Sequence, residues 1–261
     1  MLIKAIEVGY LQTNCYIVAD EATLDAAVID PGADSNLILD YIERCHFHVR
    51  AILLTHGHFD HCMGLEEVYD ATGATVYMSH ADLTTDIGNG MFGNEDFELD
   101  PPDDTVFVRE GDVIEAGSLT FDVLETPGHT PGGITYRCED CLFTGDTLFR
   151  MSCGRYDFPG SSSLDLGHSL EKLRDFIFFL ENCHKQENKK IQTQELIDEF
   201  ESRMKNYFYA GNKLIDVITI LEGGGRHQIK TFGDYLRSRT FNNLSSKTVS
   251  YTHLTLPTNS R

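Results

Sequence analysis

The first half of the chain alternates short aliphatic runs with turn residues. Leu2 to Val8, Asn14 to Ala19 and Asp25 to Asp30 read as strands, separated by turn signals at Gln12-Thr13-Asn14 and Pro31-Gly32. The period then becomes helical. Leu37, Ile38, Tyr41 and Ile42 share one face, which predicts a helix from a cap at Asp34 or Ser35 to about Cys45, with His46 and His48 as surface residues at its end. Val49 to Leu54 is a continuous apolar run of buried-strand type, and Met63 to Ala71 a helix capped by Asp60 and stopped by Gly73. Ala74 to Met78 is a strand, Ala81 to Ile87 a short helix, and Gly88 to Asp104 a long loop of the kind that often rims a site. Strands return at Val106 to Val108, Val113-Ile114, Leu119 to Leu124, Ile134 to Arg137 and Leu142-Phe143, and a helix follows over roughly Ser163 to Leu180. This order suggests two sheets packed face to face with helices outside, although periodicity alone establishes only a mixed α and β class.

The chemistry concentrates in Thr55-His56-Gly57-His58-Phe59-Asp60-His61, directly after the apolar strand. Alternate residues of an extended segment share a face, so His56 and His58 can hold one metal ion. Asp60 and His61 come where the pattern turns, and can aim at a second ion beside it. A strand, a turn and an Asp cap with exposed histidines is the plain alternative. Four coordinating side chains within six residues make it a poor one.

Three later segments carry further candidates. Thr126-Pro127-Gly128-His129-Thr130-Pro131-Gly132-Gly133 is an irregular loop whose metal-competent side chain is His129; taken alone, it reads as an exposed loop histidine. Leu142-Phe143-Thr144-Gly145-Asp146 ends an apolar strand on a carboxylate, which can turn the chain or bridge two hard cations. Ser152 to Gly160 contains Arg155, equally readable as a surface residue. Cys138-x-x-Cys141 spans a hairpin with no matching second pair, so it is a weak zinc or redox signal.

Charge narrows the function classes. The net charge is −20 over 261 residues, but Met1 to Leu180 holds 32 acidic against 9 basic residues and the remainder 9 against 12. An acidic catalytic half argues against a nucleic-acid partner, which needs a basic footprint. No segment has the apolar length of a bilayer span, so no membrane partner is expected, and the N-terminus lacks a signal-peptide pattern. Seven unevenly spaced cysteines suit reduced thiols, and together these features suggest a cytoplasmic protein.

Thr-His-x-His-x-Asp-His and the ordered motifs after it resemble the metallo-β-lactamase superfamily, and most closely its glyoxalase II-like thioesterase branch, from about Leu2 to about Arg174. The resemblance implies an α/β (α+β) fold, a four-layered αββα sandwich, over residues 1–180. It implies two divalent metal ions, most simply zinc, with iron or manganese also compatible. His56, His58 and His129 would hold the first ion, Asp60 and His61 would contribute to the second, and Asp146 would bridge. Asp60 would also orient the hydroxide that attacks the carbonyl carbon of a small-molecule thioester, and Arg155 would face the carboxylates of its thiol. Related chemistries are β-lactam hydrolysis and mononuclear iron persulfide dioxygenation.

The resemblance departs from the family pattern after the helix that follows Ser163. The family carries one more histidine there, usually in a Pro-Gly-His-Gly loop. This chain reads Glu181-Asn182-Cys183-His184-Lys185-Gln186, and only His184 by position or His227 by glycine context offers a replacement. A weakened second metal site and a fold incomplete at its C-terminal end are expected, and an inactive truncated fragment is the reading from outside enzymology. Residues 181–248 are read as a helical or misjoined segment. Residues 249–261 resemble the translation of a sequencing adaptor.

Overall fold

A computed structural model describes residues 1–89, 97–149, 152–186 and 253–255, with the backbone alone over 175–186 and 253–255. It is the expected αββα arrangement. The first sheet has strand order β1-β2-β3-β4-β5-β6, formed by Leu2–Val8, Thr13–Ala19, Asp25–Ile29, His48–Leu53, Thr75–Met78 and Val106–Phe107. β1 to β3 pair antiparallel, and β3 to β6 pair parallel. The parallel crossovers pass through helix α1 (Ser35–Cys45) and through α2 (Phe59–Cys62) with α3 (Leu65–Thr72). A parallel strand needs such a connection because the chain must return to the end of the sheet at which the previous strand began. The short helix α4 (Ala81–Thr84) follows β5.

The second sheet is antiparallel, ordered β13-β10-β9-β8-β7, from His253–Thr255, Cys141–Phe143, Ile134–Cys138, Leu119–Glu125 and Val113–Ala116. A small hairpin of β11 (Leu148–Phe149) and β12 (Ser152–Cys153) follows β10, and α5 covers Ser163–Gln186. Two cores hold these layers together. Tyr16, Val18, Ile29 and Leu53 of the first sheet meet Phe121, Val123, Tyr136 and Phe143 of the second. The alternate residues Ile17, Val28 and Ile52 point the other way, onto Ile38 and Ile42 of α1 and Leu65 and Val68 of α3. Both faces of the central strands are therefore buried, which is why they read as unbroken apolar runs. On the far side α5 buries Leu166, Leu170 and Leu173, and Ser169 donates to the Pro127 carbonyl.

Several local expectations are corrected. Asp34 does not cap α1 through its side chain; it lies in the left-handed region and its carboxylate accepts from the Gly9 N–H. Asp60 does not cap the helix after the histidine motif either. It sits inside α2, and α3 starts separately after Gly64, whose N–H donates to the Pro31 carbonyl. Asp60 is thereby released for the site. Gly73 does end α3, with φ 61°. His46 terminates α1, but His48 opens β4, while Cys138 and Cys141 face each other as free thiols across the β9–β10 hairpin. The β11–β12 hairpin had no sequence signal, being only two residues per strand. No described helix is long and apolar enough to cross a membrane.

Tyr136 links the two sheets by polar as well as apolar contact. Its ring is fully buried, and its single hydroxyl proton is shared between the carbonyls of Leu54 at 3.0 Å and Tyr77 at 3.2 Å. Tyr136→Phe leaves both acceptors without that donor, so it should destabilise the chain by about 1–3 kcal/mol, read from urea unfolding midpoints at unchanged m-value.

Candidate metal centre

The site lies where the parallel strands end. β4 releases the chain at Leu53, and the next eight residues pass through Thr55, His56 and His58 into α2, which carries Asp60 and His61. β8 ends at Glu125 and delivers the loop with His129, and β10 ends at Phe143 just before Asp146. The structure brings all six expected donors together. His56, His58 and His129 form one group and His56, His61 and Asp146 another, the ligand atoms of each lying within 4.8 Å of one another. The Asp60 carboxylate stands 3.5 Å from His61 Nε2, on the second group.

Each histidine is fixed by the nitrogen it turns away from the centre. His58 donates from Nε2 to the Ile87 carbonyl at 2.9 Å, and His129 from Nδ1 to the Arg155 carbonyl at 2.7 Å. His61 donates from Nδ1 to Asp30 at 2.9 Å. Thr55 donates its hydroxyl to the same Asp30 oxygen and its N–H to the other, and lies 3.1 Å from His56 Nδ1, so it accepts from that ring. The network assigns these outward N–H groups, and it turns one nitrogen of every ring towards the centre.

Those inward atoms fit metal ions. His56 Nε2, His61 Nε2 and Asp146 Oδ1 are buried without a hydrogen-bond partner among the described residues. His58 Nδ1 and His129 Nε2 face each other at 2.9 Å, Asp146 Oδ2 is 3.5 Å from His129 Nε2, and Asp146 Oδ1 is 3.3 Å from His61 Nε2. Ligand atoms around a tetrahedral zinc ion lie about 3.4 Å apart, so this spacing matches a shared cation. The two oxygens of Asp146 face the two groups, as a bridge requires.

Electrostatics agree with the geometry. Burial, then the neighbouring histidines, pushes His56 well below its ordinary value, and burial followed by His129 takes His58 to about 3. Burial opposes protonation of His61 too, yet Asp60, Asp30 and Asp146 together raise it well above its ordinary value. For Asp146 burial acts upward, but the proximity of His61 first, then of His129 and His58, holds it at about 2. His56 and His58 are therefore neutral and ready to bind a cation at neutral pH.

Around this centre the expected residues have different fates. Asp60 accepts from the Thr13 hydroxyl at 2.6 Å, which fixes one of its oxygens. Arg155 forms a two-pronged pair with Asp157 at 2.8 and 2.9 Å and lies over the Phe158 ring, whose edge meets His58 and His129. Its carbonyl, rather than its charge, touches the donor set. Of the long loop, Asn89 accepts from the Phe59 N–H and donates to the Gly57 carbonyl, while residues 90–96 lie outside the described residues. The His184 side chain and His227 lie outside them as well. Asp30, Thr13 and Asp82 went unread in the sequence because a lone Asp or Thr near a turn carries no spacing signal; their signal is spatial.

Comparison with known proteins gives a consistent picture. A model of the metallo-beta-lactamase superfamily matches residues 8–176. An uncharacterized protein of Aquifex aeolicus is 38% identical over 178 residues, 66% of this chain and 83% of its own. The hydroxyacylglutathione hydrolase GloC of Haemophilus influenzae is 32% identical over 166 residues, 61% of this chain and 77% of its own. Among solved structures, the BLEG-1 B3 metallo-beta-lactamase matches with TM-score 0.58 and 32% identity, covering 65% of this chain and 83% of that one. TTHA1623 in a di-iron-bound form matches with TM-score 0.57 and 32% identity, covering 66% and 86%.

The neutral state of His58 makes the metal-free protein acid-sensitive. Its folded value of about 3 lies below the unfolded value of about 6.5, so between these the unfolded chain binds more protons and stability falls as pH falls. Metal-free wild type should lose more stability than His58→Gln between about pH 6 and pH 4, measured by chemical denaturation at each pH.

Proposed function

Because the chain belongs to the metallo-β-lactamase superfamily and is a metal-dependent hydrolase of that superfamily, we propose that the bond it cleaves is a thioester of the hydroxyacylglutathione type. The observation that carries this reading is the convergence of six metal-competent donors on a chain similar to a hydroxyacylglutathione hydrolase.

His56, His58 and His129 would hold one divalent ion, and His61 with Asp60 and Asp146 a second. Bound there, such ions supply Lewis acidity that acidifies water and polarises a carbonyl. Zinc suits the mixed imidazole and carboxylate donors, and iron suits them equally. The chain's own contribution is positioning. Asp60, whose Oδ2 accepts from Thr13 and lies 3.5 Å from His61 Nε2, is held where its carboxylate can accept a proton from the attacking water and orient it. Phe59 stacks with Tyr10 at 6.2 Å and meets Phe97 at 6.4 Å, and Phe158 covers the histidines from another side. Phe158, against His58 and His129, limits bulk water beside the donor set, where fixed charges then act more strongly. A thiol of pKa about 8.5 leaves as thiolate without a dedicated acid. The similarity to a B3 metallo-beta-lactamase favours β-lactam hydrolysis as the second reading, in which the leaving amine has to be protonated.

Zinc-loaded protein should hydrolyse S-lactoylglutathione, followed by thiol release, and turn over a β-lactam far more slowly; the reverse preference would overturn the thioester reading. Asp60→Asn should lower kcat by about 10²–10⁴-fold while the three-histidine group retains zinc. Arg155 stands at the rim with its charge already matched by Asp157, so an anionic thiol has to exchange with that carboxylate. Arg155→Ala should therefore raise KM for an anionic thioester more than for a neutral one; equal changes would remove Arg155 from substrate recognition.

A further inference from the structure

Asp82 lies in α4, on neither of the loops that carry the metal donors, yet it is 5% exposed and binds both. Its Oδ2 accepts from the Gly57 N–H at 2.8 Å and the Thr130 hydroxyl at 2.9 Å, and its Oδ1 accepts from the Gly132 N–H at 2.6 Å. Gly57 sits between His56 and His58. Thr130 follows His129. One carboxylate thus joins the two segments that supply the three-histidine group, which are otherwise far apart in sequence.

The glycines are part of the same device. A Cβ at Gly57 would lie 2.9 Å from Asp82 Cβ, and one at Gly132 would lie 2.6 Å from the Asp82 carboxylate. Neither contact is tolerable, so both positions must lack a side chain for the carboxylate to approach. Three donors converge on one carboxylate. The other group is supported differently. Asp30 receives His61 directly and Thr55 by two bonds, with no hydrogen bond to the His129 loop among the described residues.

We infer that Asp82 is a positioning residue for the three-histidine metal group, clamping the His56–His58 segment to the His129 loop, while Asp30 serves the His61 group. The inference rests on the metal-centre reading and not on the identity of the substrate, so failure of thioester hydrolysis leaves it standing. An Asp82→Asn amide places an NH2 where one oxygen accepted a backbone N–H, so at least one of the three bonds is lost and the histidines lose their common reference. Removing an outer partner of this kind weakens metal affinity about 10–100-fold.

The test separates the groups by background. In His61→Ala protein the three-histidine group remains; in His58→Ala protein the His61 group remains. Zinc alone is titrated into metal-free protein against a competing chelator, with and without Asp82→Asn, and the metal-free melting temperature is recorded for each. Asp82→Asn should weaken zinc about 10–100-fold in the His61→Ala background and less than about threefold in the His58→Ala background. Thr130→Val, which removes one of the three bonds and none of the carboxylate, should give a smaller loss in the same background. Unchanged zinc affinity in the His61→Ala background would overturn the assignment. Equal weakening in both backgrounds, or a loss that tracks a fall in the metal-free melting temperature, would also overturn it, because Asp82 would then be supporting the fold generally.

Discussion

Two imidazole lone pairs that face each other at 2.9 Å, those of His58 and His129, repel unless something positive lies between them. Everything around the site enforces that confrontation. Each ring's outward N–H is committed to a carbonyl, a hydroxyl or Asp30, so no ring can turn to relieve it. The arrangement is unfavourable as an empty polar cavity and favourable as a cation cage, because a bound ion converts the repelling lone pairs into ligands. A proton does part of this on His61, where three carboxylates outweigh the cost of burial.

The sandwich makes the cage possible by bringing strand ends from different sheets to one edge. The His56 segment comes from the parallel first sheet, and His129 and Asp146 come from the antiparallel second one. The inter-sheet core, with Tyr16 and Leu53 against Phe121, Tyr136 and Phe143, therefore sets the distance between the donors. Tyr136 adds a polar tie from the second sheet to Leu54, one residue before Thr55. A change in sheet separation would be felt first at His56 and His129, which is why the loops carry additional carboxylate anchors.

The donors were legible in the sequence because they are chemically unusual for their neighbourhood. Four coordinating side chains in six residues after a buried strand have few other uses, and His129 and Asp146 follow strand ends in motifs with glycine. Strand and helix existence was legible for the same reason that the cores are dense: Ile17, Val28 and Ile52 alternate with Tyr16, Ala27 and Leu53, and each set meets its own layer. Caps were not. Asp34 and Asp60 look like N-caps by type, but each carboxylate found a stronger role across the fold, on Gly9 and at the second metal group. Asp30 and Asp82 were invisible because their partners lie at sequence separations of 25 to 50 residues. Arg155 was expected through its charge, and its carbonyl bond to His129 has no signature at all.

Six side chains form two adjoining metal groups, one of them dominated by imidazole. Zinc content per chain, determined by elemental analysis on wild type, His61→Ala and His129→Ala after equilibration in the same zinc buffer, tests it most directly. About two ions are expected in wild type under excess zinc, one tightly held ion in His61→Ala, and loss of that tight ion in His129→Ala. Wild type without bound zinc, or a His129→Ala protein that holds its tight ion as firmly as wild type, would contradict it.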